Sequence, residues 1–335
     1  MKLFVAIFVI TCLLLVGCGS EHSENTSLDE NHTALLEKFG HVSNIMVDKD
    51  GRKYLVDPDK IRRGIADPGD IRDRIPAIDD PQFVSVEDAD EWIEDNELVL
   101  ALEHNDIKRV YPLQILVWHE IVNDNVGGDP VLVTYCPLCG SGIAYNPVIN
   151  GKTYDFGTSG KLLDSNLVMY DRPTNTYWTQ IDGLAIVGTL TGIELEPISI
   201  DTVVWRYWKV AHPDSEVLSQ ETGHTRRYSN DPYGSYYEDS NLFFPVEHQD
   251  DRIHAKDVVF GVEVNNQPVA FREVDLKRDG KLTINVSGVT LKATRDEVGV
   301  VKVFNEKSEE EIVKERDFWF AWYAFHTTTI LWTNE

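Results

Sequence analysis

A short apolar run that ends in two cysteines constrains this chain more than any other stretch. Residues 131–135 are apolar and largely β-branched, and they follow the turn-forming Gly-Gly-Asp-Pro of residues 127–130, which predicts a buried strand. The next residues, 136–140, read Cys-Pro-Leu-Cys-Gly. Proline begins a turn cheaply, and Gly140 can take the positive φ that lets the chain fold back. We expect a compact turn with both sulfurs on one side, as in half of a zinc-ribbon site.

The cysteine count predicts that no further cysteine is available to these two thiols as a metal ligand or disulfide partner. The sequence has four cysteines, and Cys12 and Cys18 lie in or directly after an N-terminal leader. Cys136 and Cys139 are then the free thiols of the mature chain, and they supply half of a tetrahedral metal site. Three roles stay open for the pair: metal ligands, a redox-active dithiol, or a structural disulfide.

The N-terminus predicts the location of the protein. Lys2 precedes an apolar run over residues 3–16, and residues 15–18 read Leu-Val-Gly-Cys. This pattern resembles bacterial lipoproteins, with a signal peptide over residues 1–17 and lipid on Cys18. The run is too short to span a bilayer. We therefore expect a membrane-anchored protein that faces the periplasm or cell exterior, where thiols oxidise unless a metal or a reductase protects them.

The charge of the chain limits its partners. The formal net charge is −25 over 335 residues. Such an acidic surface argues against nucleic acid and against anionic membrane surfaces as partners. The membrane contact that we expect is therefore made by the lipid on Cys18. No feature of the sequence identifies a protein partner.

Two landmarks occur twice, in the same order. The strand, Asn-centred turn and strand of residues 98–111 recur at 258–271, and the Trp-x-x-Trp-x-x-x-His of residues 205–212 recurs at 319–326. The pattern predicts an α+β, strand-dominated fold of two homologous lobes from an internal duplication. The predicted segments after the signal peptide are a tether (18–31), an N-terminal extension (32–95), lobe A with the cysteine turn (96–220), a Tyr-rich linker (221–254) and lobe B (255–335).

The repeat separates structural histidines from a candidate ligand. His212 and His326 occur in both lobes near predicted helix ends, where histidine can bond the last carbonyls. His119 has no counterpart, because the matching position of lobe B is Asp279. It precedes Cys136 by 17 positions and leads into the cysteine strand. We therefore predict His119 as the third metal ligand.

Three further side chains complete the predicted site. Glu120 and Asp124 follow His119 closely and are candidates to orient its ring. Met169 is a candidate soft ligand, since thiolate, imidazole and thioether together suit copper(I). Zinc is the default metal for the cysteine turn, and copper is the competitor.

Five segments identify a family resemblance. They are residues 118–124, 134–140, 156–160, 164–172 and 318–326. The sequence resembles the bacterial and archaeal family called Domain of Unknown Function 3179 over most of the chain beyond residue 95. The resemblance implies no activity. One departure is the Thr327-Thr328 that follows His326, where Pro-Asp stands after His212.

These observations favour an extracytoplasmic, lipid-anchored protein that binds a metal ion through Cys136, Cys139 and His119. The first alternative is a thiol–disulfide oxidoreductase in which Cys136 attacks and Cys139 resolves. Against it, a hairpin rather than a helix is predicted after Gly140, so no helix N-terminus lowers a thiol pKa. The second alternative is a non-catalytic scaffold or ligand-binding lipoprotein with a structural disulfide.

Overall fold

The computed structural model describes residues 32–33, 35–36 and 44–333. The predicted signal peptide, the tether and Cys18 lie outside the described residues. Within them, strands outnumber helices and form six sheets, which confirms the strand-dominated α+β prediction. The described part of the chain has no helix that is long and apolar enough to cross a membrane.

The N-terminal extension contributes short elements to the edges of larger sheets. Its strands are Met46–Val47 (β1), Lys53–Tyr54 (β2), Arg62–Arg63 (β3) and Phe83–Val84 (β4), with a 3-10 helix at Pro58–Lys60. The helix Val86–Ala89 (α1) begins after Ser85, whose side chain accepts a hydrogen bond from the backbone N–H of Asp88. This cap explains why a four-residue helix forms here.

Lobe A contains most of the strands. They are Leu98–His104 (β5), Ile107–Pro112 (β6), Ile121–Val126 (β7), Asp129–Cys136 (β8), Ser141–Asn146 (β9), Val148–Ile149 (β10), Lys152–Thr153 (β11), Phe156–Leu163 (β12), Asn166–Asp171 (β13), Tyr177–Thr179 (β14), Ala185–Val187 (β15), Glu196–Ile198 (β16), Asp201–Val204 (β17) and Glu216–Leu218 (β18). Its helices are Leu113–His119 (α2) and Trp205–Ala211 (α3).

Lobe B is shorter and follows a 3-10 helix in the linker at Gly234–Tyr237. Its strands are Val258–Val264 (β19), Gln267–Arg272 (β20), Lys281–Val286 (β21), Val289–Arg295 (β22), Val301–Asn305 (β23), Glu311–Ile312 (β24), Glu315–Phe318 (β25) and Ile330–Leu331 (β26). Its helices are Glu273–Asp279 (α4) and Trp319–Phe325 (α5).

The same sheet topology occurs in both lobes. In lobe A the order β17-β5-β6-β18 extends to β4, and lobe B has the order β25-β19-β20-β26. The second sheets are β7-β8-β9-β16 and β21-β22-β23-β24, each read in chain order. Lobe A additionally carries a seven-stranded sheet, β1-β2-β15-β14-β13-β12-β3, and the small pair β10-β11.

The register of the first sheets also repeats. Leu100 pairs with Tyr111 across β5 and β6, and Phe260 pairs with Phe271 across β19 and β20. Each residue of the second pair lies 160 positions after its counterpart in the first. The hairpin turns have positive φ at Asn105-Asp106 and again at Asn265-Asn266. Asparagine tolerates this conformation, which two-residue hairpin turns require.

The core around the cysteine turn is shared by both lobes. One cluster of buried side chains includes Cys136, Cys139 and Met169 of lobe A together with Phe318 and Phe320 of lobe B. Strand β25 runs past the turn, and the Phe318 N–H donates to the Cys139 carbonyl at 2.8 Å. The site is therefore held by contacts that are distant in the sequence.

Candidate functional site

The cysteine turn has the predicted geometry. The Cys139 N–H donates to the Cys136 carbonyl at 3.1 Å, and the Gly140 N–H donates to the Pro137 carbonyl at 3.3 Å. Gly140 has φ +62, and a Cβ there would lie 2.8 Å from the Phe318 ring. The turn therefore needs glycine both for its backbone conformation and for the close approach of β25.

The two thiols are buried and adjacent. Their Sγ atoms are 2.9 Å apart, and both cysteines are free. The Asn166 amide donates to the Cys139 sulfur at 3.5 Å, and Gln180 accepts a hydrogen bond from the same amide at 2.8 Å. Burial raises the pKa of the Cys139 thiol well above its ordinary value, and the bond with Cys136 adds to this. The Cys139 thiol is therefore protonated in the reduced protein at neutral pH.

A cavity of about 310 Å³ reaches one of the two sulfur-bearing residues. Cys136 belongs to its wall, and Cys139 does not. The wall is otherwise mostly apolar, with Leu162, Leu167 and the aromatic Phe243 among its residues. A small molecule in this cavity would meet Cys136 first.

Glu120 is the acidic residue of this cavity wall. It follows α2 with φ +59, and its backbone bonds to Leu116 and Tyr135 hold it there at 2.7 Å each. Burial raises the pKa of its carboxyl to about 8, partly offset by the Tyr233 hydroxyl, which donates to Oε1 at 3.4 Å. Glu120 is therefore mostly protonated at neutral pH and can exchange a proton there.

Sequence reasoning assigned Glu120 only a supporting role beside His119. A signal for a larger role exists in the repeat. The matching position of lobe B is Gly280, which also has positive φ. A glutamate in a backbone conformation that favours glycine is strained, and such strain is common at functional sites.

The structure gives both ring nitrogens of His119 other partners. Nδ1–H donates to the Pro76 carbonyl at 2.7 Å, so Nε2 of the neutral ring accepts from the Tyr228 hydroxyl at 2.8 Å. Burial lowers the pKa of His119 to about 4, which keeps the ring neutral. Within residues 44–333 and the four described before them, no group of three or more His, Cys, Asp or Glu residues could hold a metal. The role of His119 as a ligand stays a prediction.

The remaining predicted site residues lie in two places. The Asp124 carboxylate pairs with Arg109 and accepts from the Tyr111 hydroxyl at 2.6 Å, so these contacts account for its position. Met169 is fully buried on β13, opposite Trp178, in the same core cluster as the cysteines. The structure therefore brings Cys136 and Glu120 to one cavity, with the Cys139 sulfur 2.9 Å from that of Cys136, and Asp124 serves another network.

Lobe B closes the equivalent turn without sulfur. Asp296 stands where lobe A has Cys136, and its Oδ1 accepts from the N–H groups of Val298, Gly299 and Val300 at 2.8–3.0 Å. A carboxylate cap of this kind is a common turn device. The cysteines of lobe A are thus not required to form a turn at this place.

The linker covers the cysteine turn. The Tyr236 hydroxyl donates to the Leu138 carbonyl at 3.0 Å. The buried Lys256 ammonium donates to the carbonyls of Tyr236, Asp239 and Asn241, the last at 2.9 Å. This lysine therefore fixes the linker over the turn.

A family model described as a protein of unknown function, DUF3179, matches residues 72–310. The chain belongs to the DUF3179 family. The resemblance seen in the sequence is thereby confirmed. No curated protein and no solved structure matches the chain. The DUF3179 match contains Glu120, Cys136 and Cys139 and ends before β25, the strand that packs behind the turn.

Proposed function

We propose that Cys136 and Cys139 form a reversible dithiol–disulfide pair and that the protein is a thiol–disulfide oxidoreductase. The observation that carries the proposal is the 2.9 Å separation of two free, buried sulfurs beside a cavity that reaches Cys136 alone. This asymmetry supports different roles for the two thiols. Cys136 meets the substrate, and Cys139 resolves the intermediate.

The proposed reaction is thiol–disulfide exchange. In the reduced protein the Cys136 sulfur attacks a substrate disulfide. A mixed disulfide forms, and one substrate thiol leaves with the proton of Cys136. The Cys139 sulfur then attacks Sγ of Cys136, and the second substrate thiol leaves with the proton of Cys139. Two electrons and two protons pass to the substrate, the protein keeps an internal disulfide, and a substrate dithiol reverses the sequence.

Glu120 supports this chemistry as a proton carrier. Exchange requires the thiolate, and burial disfavours a charge on Cys139. The minor carboxylate form of Glu120 can accept a thiol proton in the same cavity, and the major protonated form can donate a proton to a leaving thiolate. Either transfer leaves one charge rather than two in an apolar site.

A metal ion held by Cys136, Cys139 and His119 is the competing proposal. Zinc at about 2.3 Å from each sulfur would hold the sulfurs about 3.8 Å apart, which is wider than the observed pair. His119 would also have to release Pro76 and Tyr228. We rank zinc or copper binding second for these two reasons.

Trapping of the mixed disulfide tests the proposal. C139S and C136S are each treated with 2-hydroxyethyl disulfide, a small probe for the cavity, and analysed by mass spectrometry. We expect C139S to retain one hydroxyethylthio group and the matched C136S control to retain far less. Equal labelling of the two variants would contradict the assigned roles.

Metal analysis of anaerobically purified protein separates the alternatives. Stoichiometric zinc or copper that is lost in His119→Gln would support the metal site instead. A disulfide that reductants leave intact in the folded protein would support the structural-bridge alternative. A disulfide that is reduced and re-formed in the native state supports the oxidoreductase.

We also propose that lipid on Cys18 anchors the protein to a membrane with its body outside the cytoplasm. The leader, the Leu-Val-Gly-Cys sequence and the polar tether support this location. Disulfide chemistry is sustained in such compartments. The anchor and the thiol pair are therefore consistent with one another.

We infer further that lobes A and B derive from an internal duplication. The repeated sheet orders and the constant offset of 160 residues in the first hairpins support this inference. The turn of lobe A then has Cys136 at the position where the turn of lobe B has Asp296. In this view the thiol pair was gained or kept in one copy only.

A further inference from the structure

A second cavity, of about 410 Å³, shares no residue with the thiol cavity. Helix α2 of lobe A, the linker and strand β25 of lobe B all contribute to its wall. Its volume is in the range of small-molecule sites. The thiol chemistry proposed above does not use it.

Aromatic rings form much of this wall. They belong to Tyr135, Tyr228, Tyr237 and Phe318. His119 accepts from the Tyr228 hydroxyl, and Thr222 bonds the same oxygen at 2.5 Å, so this ring is held in place. This gives His119 a structural task, since it positions one wall of the cavity. Flat, fixed rings suit an apolar or aromatic group.

The wall carries charges of both signs. Arg316 is the one cation among the residues that line the cavity, and Glu97 and Asp231 are its carboxylates. Glu97 accepts from the Gln114 amide at 2.6 Å. No ion pair joins Arg316 to Asp231 or Glu97 in the described part of the chain. Asp231 is exposed, and its Oδ1 accepts from the backbone N–H of Tyr233 at 2.8 Å, so no cation of the wall cancels its charge.

Arg316 has donors to spare. Its Nη1 donates to the Gly140 carbonyl at 3.0 Å, and its nearest carboxylate, Glu273, is 3.8 Å away. Its buried Nε–H has no hydrogen-bond partner among the described residues. A guanidinium group carries five N–H donors and prefers a carboxylate that accepts two of them.

Arg316 and Asp231 have opposite effects on the pKa of the Tyr135 hydroxyl. Burial raises the pKa of the Tyr135 hydroxyl, Arg316 lowers it and Asp231 raises it. Both charges also line the same cavity as Tyr135. A ligand that pairs with both would carry an anionic group and a cationic group.

We propose that this cavity binds a small zwitterion with an aromatic or apolar side chain, as an α-amino acid is. Its carboxylate pairs with Arg316, its ammonium group pairs with Asp231, and its side chain packs among the four aromatic rings. A dianion is disfavoured because it would face Asp231 and Glu97. A simple cation is disfavoured because it would face Arg316.

Calorimetric titration of the full-length protein tests this proposal with three probes. L-phenylalanine carries both charges, 3-phenylpropionate lacks the ammonium group, and 2-phenylethylamine lacks the carboxylate. We expect phenylalanine to bind at one site and each truncated probe to bind at least about tenfold more weakly, which is the scale of one lost charged contact. Similar binding of all three probes, or no binding of phenylalanine, would overturn the proposal.

Two variants locate the site. Arg316→Gln should abolish the preference for phenylalanine over 2-phenylethylamine. Because Arg316 also holds the cysteine turn, a second variant avoids that contact. Ser229 is exposed and lines the cavity, so Ser229→Trp should fill it and block binding, with Ser229→Ala as the control. Unchanged affinity in Ser229→Trp would place any binding elsewhere. C136S should bind phenylalanine normally, which separates this proposal from the thiol chemistry.

Discussion

Gly140 is the residue on which the cysteine turn depends most. Its positive φ folds the chain back beneath Cys139, and the missing side chain lets the Phe318 ring lie against the backbone. Gly151 also has positive φ, but a Cβ there would meet no atom within 4 Å. Comparing substitutions at these two glycines therefore distinguishes the cost of the backbone conformation from the cost of the contact with Phe318.

Gly140→Ala should destabilise the protein more than Gly151→Ala. Both substitutions place a Cβ in the left-handed region, at a cost of about 1 kcal/mol. At Gly140 the Cβ also collides with Phe318, which adds about 1–3 kcal/mol for overpacking. Urea unfolding of the two variants measures the difference. Equal losses would mean that β25 moves away from the turn without cost.

The hydrogen bond between His119 and Tyr228 is a second residue-scale test. In Tyr228→Phe the buried Nε2 of His119 loses its donor, and we expect a loss of about 1–3 kcal/mol in the free energy of unfolding. Tyr207→Phe on the exposed face of α3 is the control, with an effect within about 0.5 kcal/mol. A Tyr228→Phe effect as small as the control would show that water replaces the hydroxyl.

Among the elements, helices α3 and α5 are built alike. Trp208 Nε1–H donates to the Ser215 hydroxyl at 3.0 Å, and Trp322 Nε1–H donates to the Thr329 hydroxyl at 2.9 Å. The His212 ring stacks on Trp208, with the ring centroids 4.0 Å apart, and the His326 ring stacks on Trp322 at 3.8 Å. The shared histidines therefore complete a helix end by ring packing, a contact that the sequence did not predict.

Trp208→Phe and Trp322→Phe should cost similar amounts. Each removes one buried indole N–H and leaves a hydroxyl without that donor, for which we expect about 1–3 kcal/mol. In Trp322→Phe/Thr329→Val, part of the loss should be recovered, because the Thr329 hydroxyl is removed as well. Thermal unfolding measures each value. Costs that differ severalfold between the lobes would mean that the two helix ends are not energetically equivalent.

At the scale of the whole molecule, ionisable groups are fully or partly buried where the lobes meet. Burial raises the pKa of Asp182 and of Asp317 to about 7, and neighbouring carboxylates add to the shift of Asp182. His326, 3.5 Å from Asp182, has its pKa lowered to about 4 by burial. The folded state therefore keeps these carboxyls protonated and this imidazole neutral near pH 6.

The stability of the protein should fall as the pH rises from about 6.5 to 8. The unfolded chain releases the protons of Asp182 and Asp317 near their ordinary pKa, whereas the folded protein holds them to about 7 and that of Glu120 to about 8. The folded state thus binds more protons in this window, and raising the pH favours unfolding. Below about 6.5, His119 and His326 act in the opposite direction, because the unfolded chain protonates them first.

Asp182→Asn tests this prediction. The amide does not titrate, so the free energy of unfolding should fall less steeply between pH 6.5 and 8 than in the unsubstituted protein. Chemical unfolding at several pH values measures the slope, and Asp59→Asn on the surface is the control. An unchanged slope in Asp182→Asn would assign the pH dependence to other groups.

Cys18→Ser should release the protein from membranes without changing its stability. A serine at this position cannot carry the lipid, and the predicted tether separates it from both lobes. Fractionation of cells that express the variant, with melting curves of the released protein, measures both effects. Membrane retention of the variant would contradict lipid anchoring at Cys18.

The sequence by itself determined the local features of the fold. Hydrophobic patterns and turn residues predicted the hairpins of residues 98–111 and 258–271 and the helices before His212 and His326, because these features depend on neighbours in the chain. The cysteine turn was predicted for the same reason, since Pro137 and Gly140 act on their own backbone. The family resemblance followed from such short segments.

Only the tertiary structure decided which side chains meet. His119 is the last residue of α2, and Pro76 and Tyr228, 43 and 109 positions away, occupy its ring nitrogens. Glu120 enters the thiol cavity because a left-handed residue ends α2 and turns the chain. Burial shifts the pKa of these groups, and burial is a sum over distant segments that a local pattern does not contain.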